Sequence, residues 1–236
     1  MSKKFKLGVI GNPIEHSLSP FIHSRFSRNE NINVEYLPYK VTDVDFDLFI
    51  REFFSDKDSK GLNVTLPHKK KAAEIQGVIS REAKYINAVN TIVSDDKKIF
   101  LYSTDGIGFI NDMQNKNFSL KEKNILIIGA GAAAESVIYR LAKSEAQHIT
   151  VLNRTEEKAD RLTRKFSNMT SINTENNSEV PYDLVINGSS AGLTGEFKPI
   201  ENILIDECTH FYDLNYSLTQ TPFCKWAKEK SEHVDD

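Results

Sequence analysis

Three clusters in this 236-residue chain combine residue types and spacings that suit chemistry. The first is Gly129-Ala130-Gly131-Ala132-Ala133-Ala134, which follows the apolar run Ile125-Leu126-Ile127-Ile128 and leads into an alanine-rich stretch through Ala142. Strand, glycine turn and helix in that order match the G-x-G-x-x-G/A dinucleotide fingerprint, with Ala134 in the third position. Gly129 permits the tight turn, Gly131 lets backbone approach a pyrophosphate, and the helix N-terminus meets the phosphate charge. A glycine pair alone reads equally as a tight strand-to-helix turn, and the surrounding pattern is what favours a nucleotide. The second cluster is Asn153-Arg154-Thr155 at the end of the next apolar run, with Lys158 a turn further on. NAD enzymes usually place an acid there, about 20 residues past the glycines, to hold the ribose 2′-hydroxyl. An arginine can instead stack on adenine and pair with a 2′-phosphate, so NADP is the expected cofactor. The plainer alternative makes Arg154 a solvated residue, with Asn153 or Thr155 capping the helix that follows.

The third cluster lies in the first half. In His16-Ser17-Leu18-Ser19-Pro20, Ser19 reads as an N-cap and Pro20 as the first helical residue. Two hydroxyls beside a helix N-terminus can also hold a small carboxylate. In Asn63-Val64-Thr65-Leu66-Pro67-His68-Lys69-Lys70-Lys71, Pro67 is expected to start a helix with Lys69 in its first turn. A cation at the positive end of a helix is disfavoured, so an ordinary surface lysine is not expected there, and a proton-transfer lysine is. Lys70 and Lys71 read as a solvated basic patch. Ala88-Val89-Asn90-Thr91 and Ser103-Thr104-Asp105-Gly106 each end an apolar run with polar groups and, taken separately, read as turns.

The elements that must position these groups follow from the apolar pattern. Leu7-Gly8-Val9-Ile10-Gly11 and Ile125 to Gly129 are both short continuous apolar runs ending in glycine, the pattern of parallel strands buried on both faces. The predicted class is α/β, in two α/β units, the second carrying the dinucleotide fingerprint. The boundary is placed at Asp105-Gly106, giving residues 1–105 and 106–236. A helix is expected over 21–28, then strand 125–128, helix 132–144, strand 148–152, helix 156–166 and strand 183–186.

Composition excludes several function classes. Thirty basic against 33 acidic residues leave a net charge of −3, without the excess that binds nucleic acid. The two cysteines, Cys208 and Cys224, make neither a disulfide framework nor a metal motif, so no metal is expected. No apolar run approaches the roughly 20 residues that cross a bilayer. The opening run stops at Gly11-Asn12-Pro13 and reads as a strand rather than a signal peptide. A soluble cytoplasmic protein with a small-molecule partner is expected.

Taken in order, the motifs resemble those of the shikimate dehydrogenase family. The matches are the Ser-x-Ser of residues 16–20, Asn63-Val-Thr-x-Pro-His-Lys69, Ala-Val-Asn90-Thr, Thr-Asp105-Gly and the glycine loop. After it come Asn153-Arg-Thr, Asn187-Gly-Ser-Ser-Ala-Gly-Leu193 and Tyr212-Asp-Leu-Asn-Tyr216 with Thr221-Pro-Phe223. The resemblance implies NADP-dependent interconversion of 3-dehydroshikimate and shikimate by a monomer or homodimer, on an α/β fold of two α/β domains: an N-terminal substrate-binding domain with a mostly parallel sheet and a Rossmann-like NADP-binding domain, with a cleft between them. It assigns Ser17, Ser19 and Tyr216 to the substrate carboxylate, and Asn63, Thr65, Asn90 and Asp105 to the ring and its hydroxyls. Lys69 becomes the proton donor and acceptor, paired with Asp105. Gly129, Ala130, Gly131, Ala132 and Ala133 would hold the pyrophosphate, Asn153, Arg154, Thr155 and Lys158 the adenosine phosphate side, and the Asn187 to Gly192 loop, which includes Ser189, together with Leu214 the nicotinamide. Departures from the family pattern are Ala132 for a second glycine, Asn87 for the glycine before Ala88, and Ser103 for asparagine. The chain ends at Asp236 without the glycine, methionine-leucine pair, substrate-binding glutamine and closing helix that the family pattern carries next. Rival readings are a quinate or shikimate dehydrogenase using NAD and a non-catalytic dinucleotide-binding regulator. The presence of both Lys69 and Asp105 argues against the regulator.

Overall fold

The computed structural model describes residues 4–176, 179–189 and 197–236. It divides into two compact units, Met1–Thr104 and Asp105–Asp236, one residue before the break read from the sequence, because Asp105 opens a helix rather than closing a turn.

The first unit runs β1 (Phe5–Gly11), α1 (Ser19–Asn29), β2 (Val34–Lys40), α2 (Phe46–Ser55) and β3 (Ser59–Val64). It continues with α3 (Lys69–Ala72), β4 (Val78–Ile79), α4 (Arg81–Ile86), β5 (Thr91–Asp95) and β6 (Lys98–Tyr102). Its sheet has the order β2-β1-β3-β5-β6-β4. The β1–β2, β1–β3 and β4–β6 pairs are parallel, and β5 joins β3 and β6 antiparallel. Successive residues of β1 feed opposite faces, as the pleat requires. Val9 meets Ile14 and Tyr36 on one side, while Ile10 joins Leu62, Val64, Ile92 and Leu101 on the other. The second face is closed by α2, whose Phe46 and Ile50, four residues apart, point inward.

The second unit runs α5 (Asp105–Asn115), β7 (Asn124–Ile128), α6 (Ala132–Leu141), β8 (His148–Leu152) and α7 (Glu156–Phe166). It continues with β9 (Ile172–Asn173), β10 (Leu184–Asn187), β11 (His210–Asp213), α8 (Pro222–Ala227) and β12 (Val234–Asp235). All pairings in the sheet β12-β11-β10-β7-β8-β9 are parallel. Ile125, Leu126 and Ile127 are fully buried, the consequence of helices on both faces. Ala159, Leu162 and Phe166 repeat at helical spacing on the buried side of α7.

Several local expectations are corrected. The helix expected over 132–144 ends at Leu141, and Leu18, not Ser19, occupies the N-cap of α1. Pro67 precedes α3 instead of starting it: the helix is a single turn beginning at Lys69, so the full-length helix dipole invoked from the sequence has too few peptides to build on. Lys71 is only partly solvated, its side chain 27% exposed. Its Nζ donates to the Asp43 carbonyl at 2.5 Å, lies 3.5 Å from Asp47 and sits 5.4 Å from the centre of the Phe46 ring. Lys70 is exposed. Asn87 takes the left-handed conformation at φ 54°, which asparagine tolerates at the C-terminus of α4 in place of glycine.

Candidate active site

In the first unit the predicted residues gather at one end of the sheet. Parallel β1 and β3 finish together, with Ile10 opposite Val64, and the loops beyond them carry Ser17, Ser19 and Thr65. Gly11 makes this possible: a Cβ there would lie 2.6 Å from the Thr65 methyl, so only glycine lets the two loops close on each other. Backbone bonds hold the pair, Thr65 donating to Ile10 at 2.9 Å and Asn12 to Leu66 at 3.0 Å. The serine loop is braced within itself. Ser17 N donates to Ile14 O at 3.0 Å, and Ser17 Oγ accepts from Ser19 N at 3.3 Å.

The serine pair therefore divides its roles. Ser17 satisfies an amide at the start of α1, while the hydroxyls of Ser19 and Thr65 have no partner among the described residues. Because β5 runs antiparallel to β3, its beginning lies beside the end of β3, which brings Asn90 to the same place. Val64 N donates to Asn90 O at 2.8 Å, and Val89 N donates to Lys69 O at 2.8 Å. Asn90 Oδ1 accepts from Thr91 Oγ1 at 2.9 Å and from both N and Oγ1 of Thr104 at 3.0 Å. Asn63 reaches the same edge with its oxygen already engaged by the Tyr36 hydroxyl at 2.7 Å.

The second unit carries the remaining predicted residues. Strand register sets Leu152, Ile128, Asn187 and Asp213 side by side at the C-terminal ends of β8, β7, β10 and β11. Asn153 to Thr155, the glycine loop, Ser189 and Leu214 therefore form a row outside those ends, where open α/β sheets bind ligands. Gly129 has φ 110°, and a Cβ on it would lie 2.7 Å from Gly188 C and Ser189 N. Two loops can touch there only because neither position carries a side chain.

The residues present fit a dinucleotide. The N-terminus of α6 has no side-chain cap, and a Cβ on its N-cap residue, Gly131, would come no nearer than 4.0 Å to the Gly188 carbonyl oxygen. Beside it a cavity of about 480 Å³ is lined by Ile128, Asn153, Arg154, Asp160, Thr174 and Ile200, among others. Arg154 and Lys158 are exposed, and their charged groups have no partner among the described residues. The capping alternative is met in position but not in bonding. Thr155 is the N-cap of α7 without a side-chain cap bond, and Asn153 Nδ2 donates to Thr155 O at 2.8 Å.

Asp105 opens α5, and the next residue, Gly106, donates its amide to Ser136 Oγ on α6 at 2.9 Å. Tyr216 lies in the second unit and is 52% exposed. Ser190 to Gly192 of the expected nicotinamide loop fall outside the described residues.

Sequence reasoning gave Asn187 only as the start of the nicotinamide loop and quoted Asp213 and Asn215 only as motif letters, and the structure gives all three work. The Asp213 carboxylate, 1% exposed, accepts from Asn187 Nδ2 at 2.9 Å, Asn215 N at 3.0 Å, Asn215 Nδ2 at 2.9 Å and Thr221 Oγ1 at 2.7 Å. Asn187 Oδ1 in turn accepts from Ser189 N at 3.1 Å and Ser189 Oγ at 2.7 Å. This network fixes the loops bearing Ser189 and Leu214. Burial pushes the Asp213 carboxyl above its ordinary range, and the donors from Thr221, Asn215 and Asn187 pull it part of the way back. The available signal was a polar residue directly after an apolar run, as in Val185-Ile186-Asn187 and Phe211-Tyr212-Asp213.

Comparison with known proteins gives consistent results. Residues 9–92 match the family model described as the shikimate dehydrogenase substrate binding domain, and residues 112–193 the one described as shikimate / quinate 5-dehydrogenase. The chain is 37% identical to shikimate dehydrogenase (NADP(+)) of Nitrosopumilus maritimus, over 99% of its own length and 87% of the relative's. It is 38% identical to the protein of the same name from Psychromonas ingrahamii, over 94% and 82%. Among solved structures it resembles shikimate dehydrogenase from Aquifex aeolicus, with 32% identity and TM-score 0.85 over 100% of this chain and 87% of that one. It also resembles shikimate 5-dehydrogenase from Thermus thermophilus in complex with NADP(H) and shikimate, with 27% identity and TM-score 0.83 over 97% and 87%.

Proposed function

The chain belongs to the shikimate dehydrogenase family, and from that premise we propose that it catalyses the NADP-dependent interconversion of 3-dehydroshikimate and shikimate in the cytoplasm. The observation that carries this reading is the convergence of Ser17, Ser19, Thr65, Asn90 and the Lys69 backbone on one end of the first sheet, with the Ser19 and Thr65 hydroxyls unused by the described residues. In this reading residues 1–104 take the substrate and residues 105–236 the cofactor.

The chemistry asked of each residue is simple. Ser17 and Ser19 donate their hydroxyls to the substrate carboxylate, with Tyr216 as a further donor, and Thr65, Asn63 and Asn90 address the ring hydroxyls. Bound NADP would supply or accept the hydride. Lys69 delivers a proton to the oxygen of the ketone being reduced and removes it in the reverse direction, and its positive charge stabilises the developing alkoxide. Asp105 orients that lysine and offsets its charge. Backbone from Gly129 to Ala133 receives the pyrophosphate at the start of α6, and Ser189 and Leu214 approach the nicotinamide.

The deciding experiment is a steady-state assay with shikimate or quinate against NADP or NAD. NADP-linked oxidation of shikimate with the highest kcat/KM is expected. A preference for quinate with NAD, or binding without turnover, would replace this reading with one of its rivals. Two variants refine it. Arg154→Ala should raise the KM for NADP by about tenfold or more, the value of a charge-assisted contact, and much more than it raises the KM for NAD, which loses only the stacking on adenine. A preference for NAD, with a change that is neutral for both cofactors, would return Arg154 to the solvated surface. Ser19→Ala should weaken shikimate binding by roughly 1.5–3 kcal/mol with no change in thermal stability, since its hydroxyl braces nothing. Ser17→Ala should do the same and also lower the melting temperature slightly, because Ser17 Oγ accepts the Ser19 amide. Unchanged KM values for shikimate in both would sink the carboxylate assignment.

A further inference from the structure

The cavity beside the glycine loop has an end that the 2′-phosphate and pyrophosphate contacts leave unexplained. Its lining includes apolar Ile128, at the tip of β7, and Ile200, together with Arg154, a cation able to stack on a flat ring. The remaining end is polar. Asp160 sits on α7 one residue past buried Ala159, and its Oδ1 accepts from Thr174 Oγ1, just beyond β9, at 3.4 Å. Its backbone carbonyl is tied into the helix by Thr163 Oγ1 at 3.0 Å and Arg164 Nε at 3.2 Å. Its Oδ2 accepts nothing from the described residues.

We infer that Asp160 reads the 6-amino group of the cofactor's purine and so makes this site selective for adenine over 6-oxopurine dinucleotides. The inference rests on the proposed function, in which the Arg154 end of the cavity receives the adenosine side. The apolar walls and the arginine grip any flat base and cannot tell one purine from another. A carboxylate is an acceptor only, so the edge turned toward it must carry a donor. Adenine offers its exocyclic amine there. Hypoxanthine offers a carbonyl, which would meet the carboxylate acceptor to acceptor and lose its hydrogen bonds to water without replacement. Sites built to pair with a particular N–H reject analogues lacking it far more strongly than apolar pockets reject a change of size. Thr174 holds Oδ1 and thereby fixes the plane of the carboxylate. Glu156 also lines the cavity, but it is exposed in the first turn of α7 and has no such brace.

The test is direct binding, by calorimetric titration without substrate, of NADP and of nicotinamide hypoxanthine dinucleotide phosphate, which differ in the 6-substituent and in the proton that the 6-oxo form carries on N1. The parent protein should bind NADP tighter by about tenfold or more. Asp160→Ala should bring the two affinities within about twofold by weakening NADP, leaving the ratio of NADP to NAD affinity and the melting temperature unchanged. Asp160→Asn should strengthen binding of the hypoxanthine compound, because the new amide can donate to its carbonyl. Glu156→Ala should leave the purine preference as it was. Equal binding of the two dinucleotides by the parent, or an equal loss of both in Asp160→Ala, overturns the inference while NADP preference over NAD still stands. A parent protein that binds neither dinucleotide overturns this inference and the functional reading together.

Discussion

Lys69→Ala should lower the turnover of shikimate by about 10²–10⁴-fold, the usual contribution of a positioned proton-transfer group. Its affinity for NADP should hardly change, because the residues assigned to the cofactor belong to the second unit. Asp105→Asn should also slow the reaction, and the double variant should cost less than the two single losses combined, since residues acting as one unit are not additive. The structure decides which neighbours serve as controls. Lys70 is exposed, and Lys70→Ala should leave turnover within about twofold of the parent, as surface changes usually do. Lys71 is unsuitable as a silent control, because it ties the turn at Asp43 to the start of α2 through Asp47 and Phe46. Lys71→Ala should lower thermal stability with kcat preserved. The measurements are kcat and KM for shikimate, NADP affinity by titration, and melting temperature. A Lys69→Ala protein as fast as the parent, or a Lys70→Ala protein equally slow, would show that the site has been misplaced.

The largest loss of stability should come from Asp213→Ala. Four hydrogen bonds converge on this carboxylate, and truncation leaves the amide of fully buried Asn187 and the hydroxyl of nearly buried Thr221 without acceptors. At 1–3 kcal/mol for each buried group left unsatisfied, a loss of about 4 kcal/mol is expected. Asp213→Asn should cost less, since the retained carbonyl can still accept from Asn187 and Asn215 while the new amide donates to Thr221, whose hydroxyl accepts as readily as it donates. The two variants also separate the charge from the hydrogen bonds. Burial raises the folded-state pKa of Asp213 above its unfolded value near 3.8, so the folded protein holds that proton more tightly than the unfolded chain does. Its contribution is therefore full below the unfolded value and is lost as the pH climbs through the folded one. Asp213→Asn should remove that component from the pH dependence of unfolding. Chemical denaturation across the acid range checks both points. An Asp213→Ala protein within about 1 kcal/mol of the parent would mean that the network does not hold the loops around Ser189 and Leu214.

Much of this molecule was legible in its sequence, and the reasons are local. Ile125 to Ile128 could only be a strand buried on both faces, and a glycine pair followed by alanines could only turn sharply into a closely packed helix. The Asn153-Arg154-Thr155 segment fell at the distance from the glycines where parallel strands end, so its place beside them followed from strand and helix lengths alone. Other features were decided by tertiary contacts. Ser19 has the chemistry of an N-cap, yet the brace between Ser17 and the Ser19 amide starts α1 one residue earlier and leaves the Ser19 hydroxyl uncommitted. Lys71 reads as solvated in one dimension and is held by Asp43, Asp47 and Phe46, residues more than twenty positions away that only folding brings near. The same holds for Asn90, Thr91 and Thr104, three apparent turn residues that the antiparallel pairing of β5 with β6 joins into one network. Asp213 is the clearest case: residue type announced a charge at a strand end, but strand register alone brought Asn187 beside it, and with Asn215 and Thr221 folded around it a buried carboxylate could hold the loops of the proposed cofactor site. Local pattern sets which element forms and which face is apolar, because those depend on neighbours a few residues apart. Which hydroxyls, amides and charges remain available to a ligand depends on partners distant in the chain, and that is known only once the sheets have set their register.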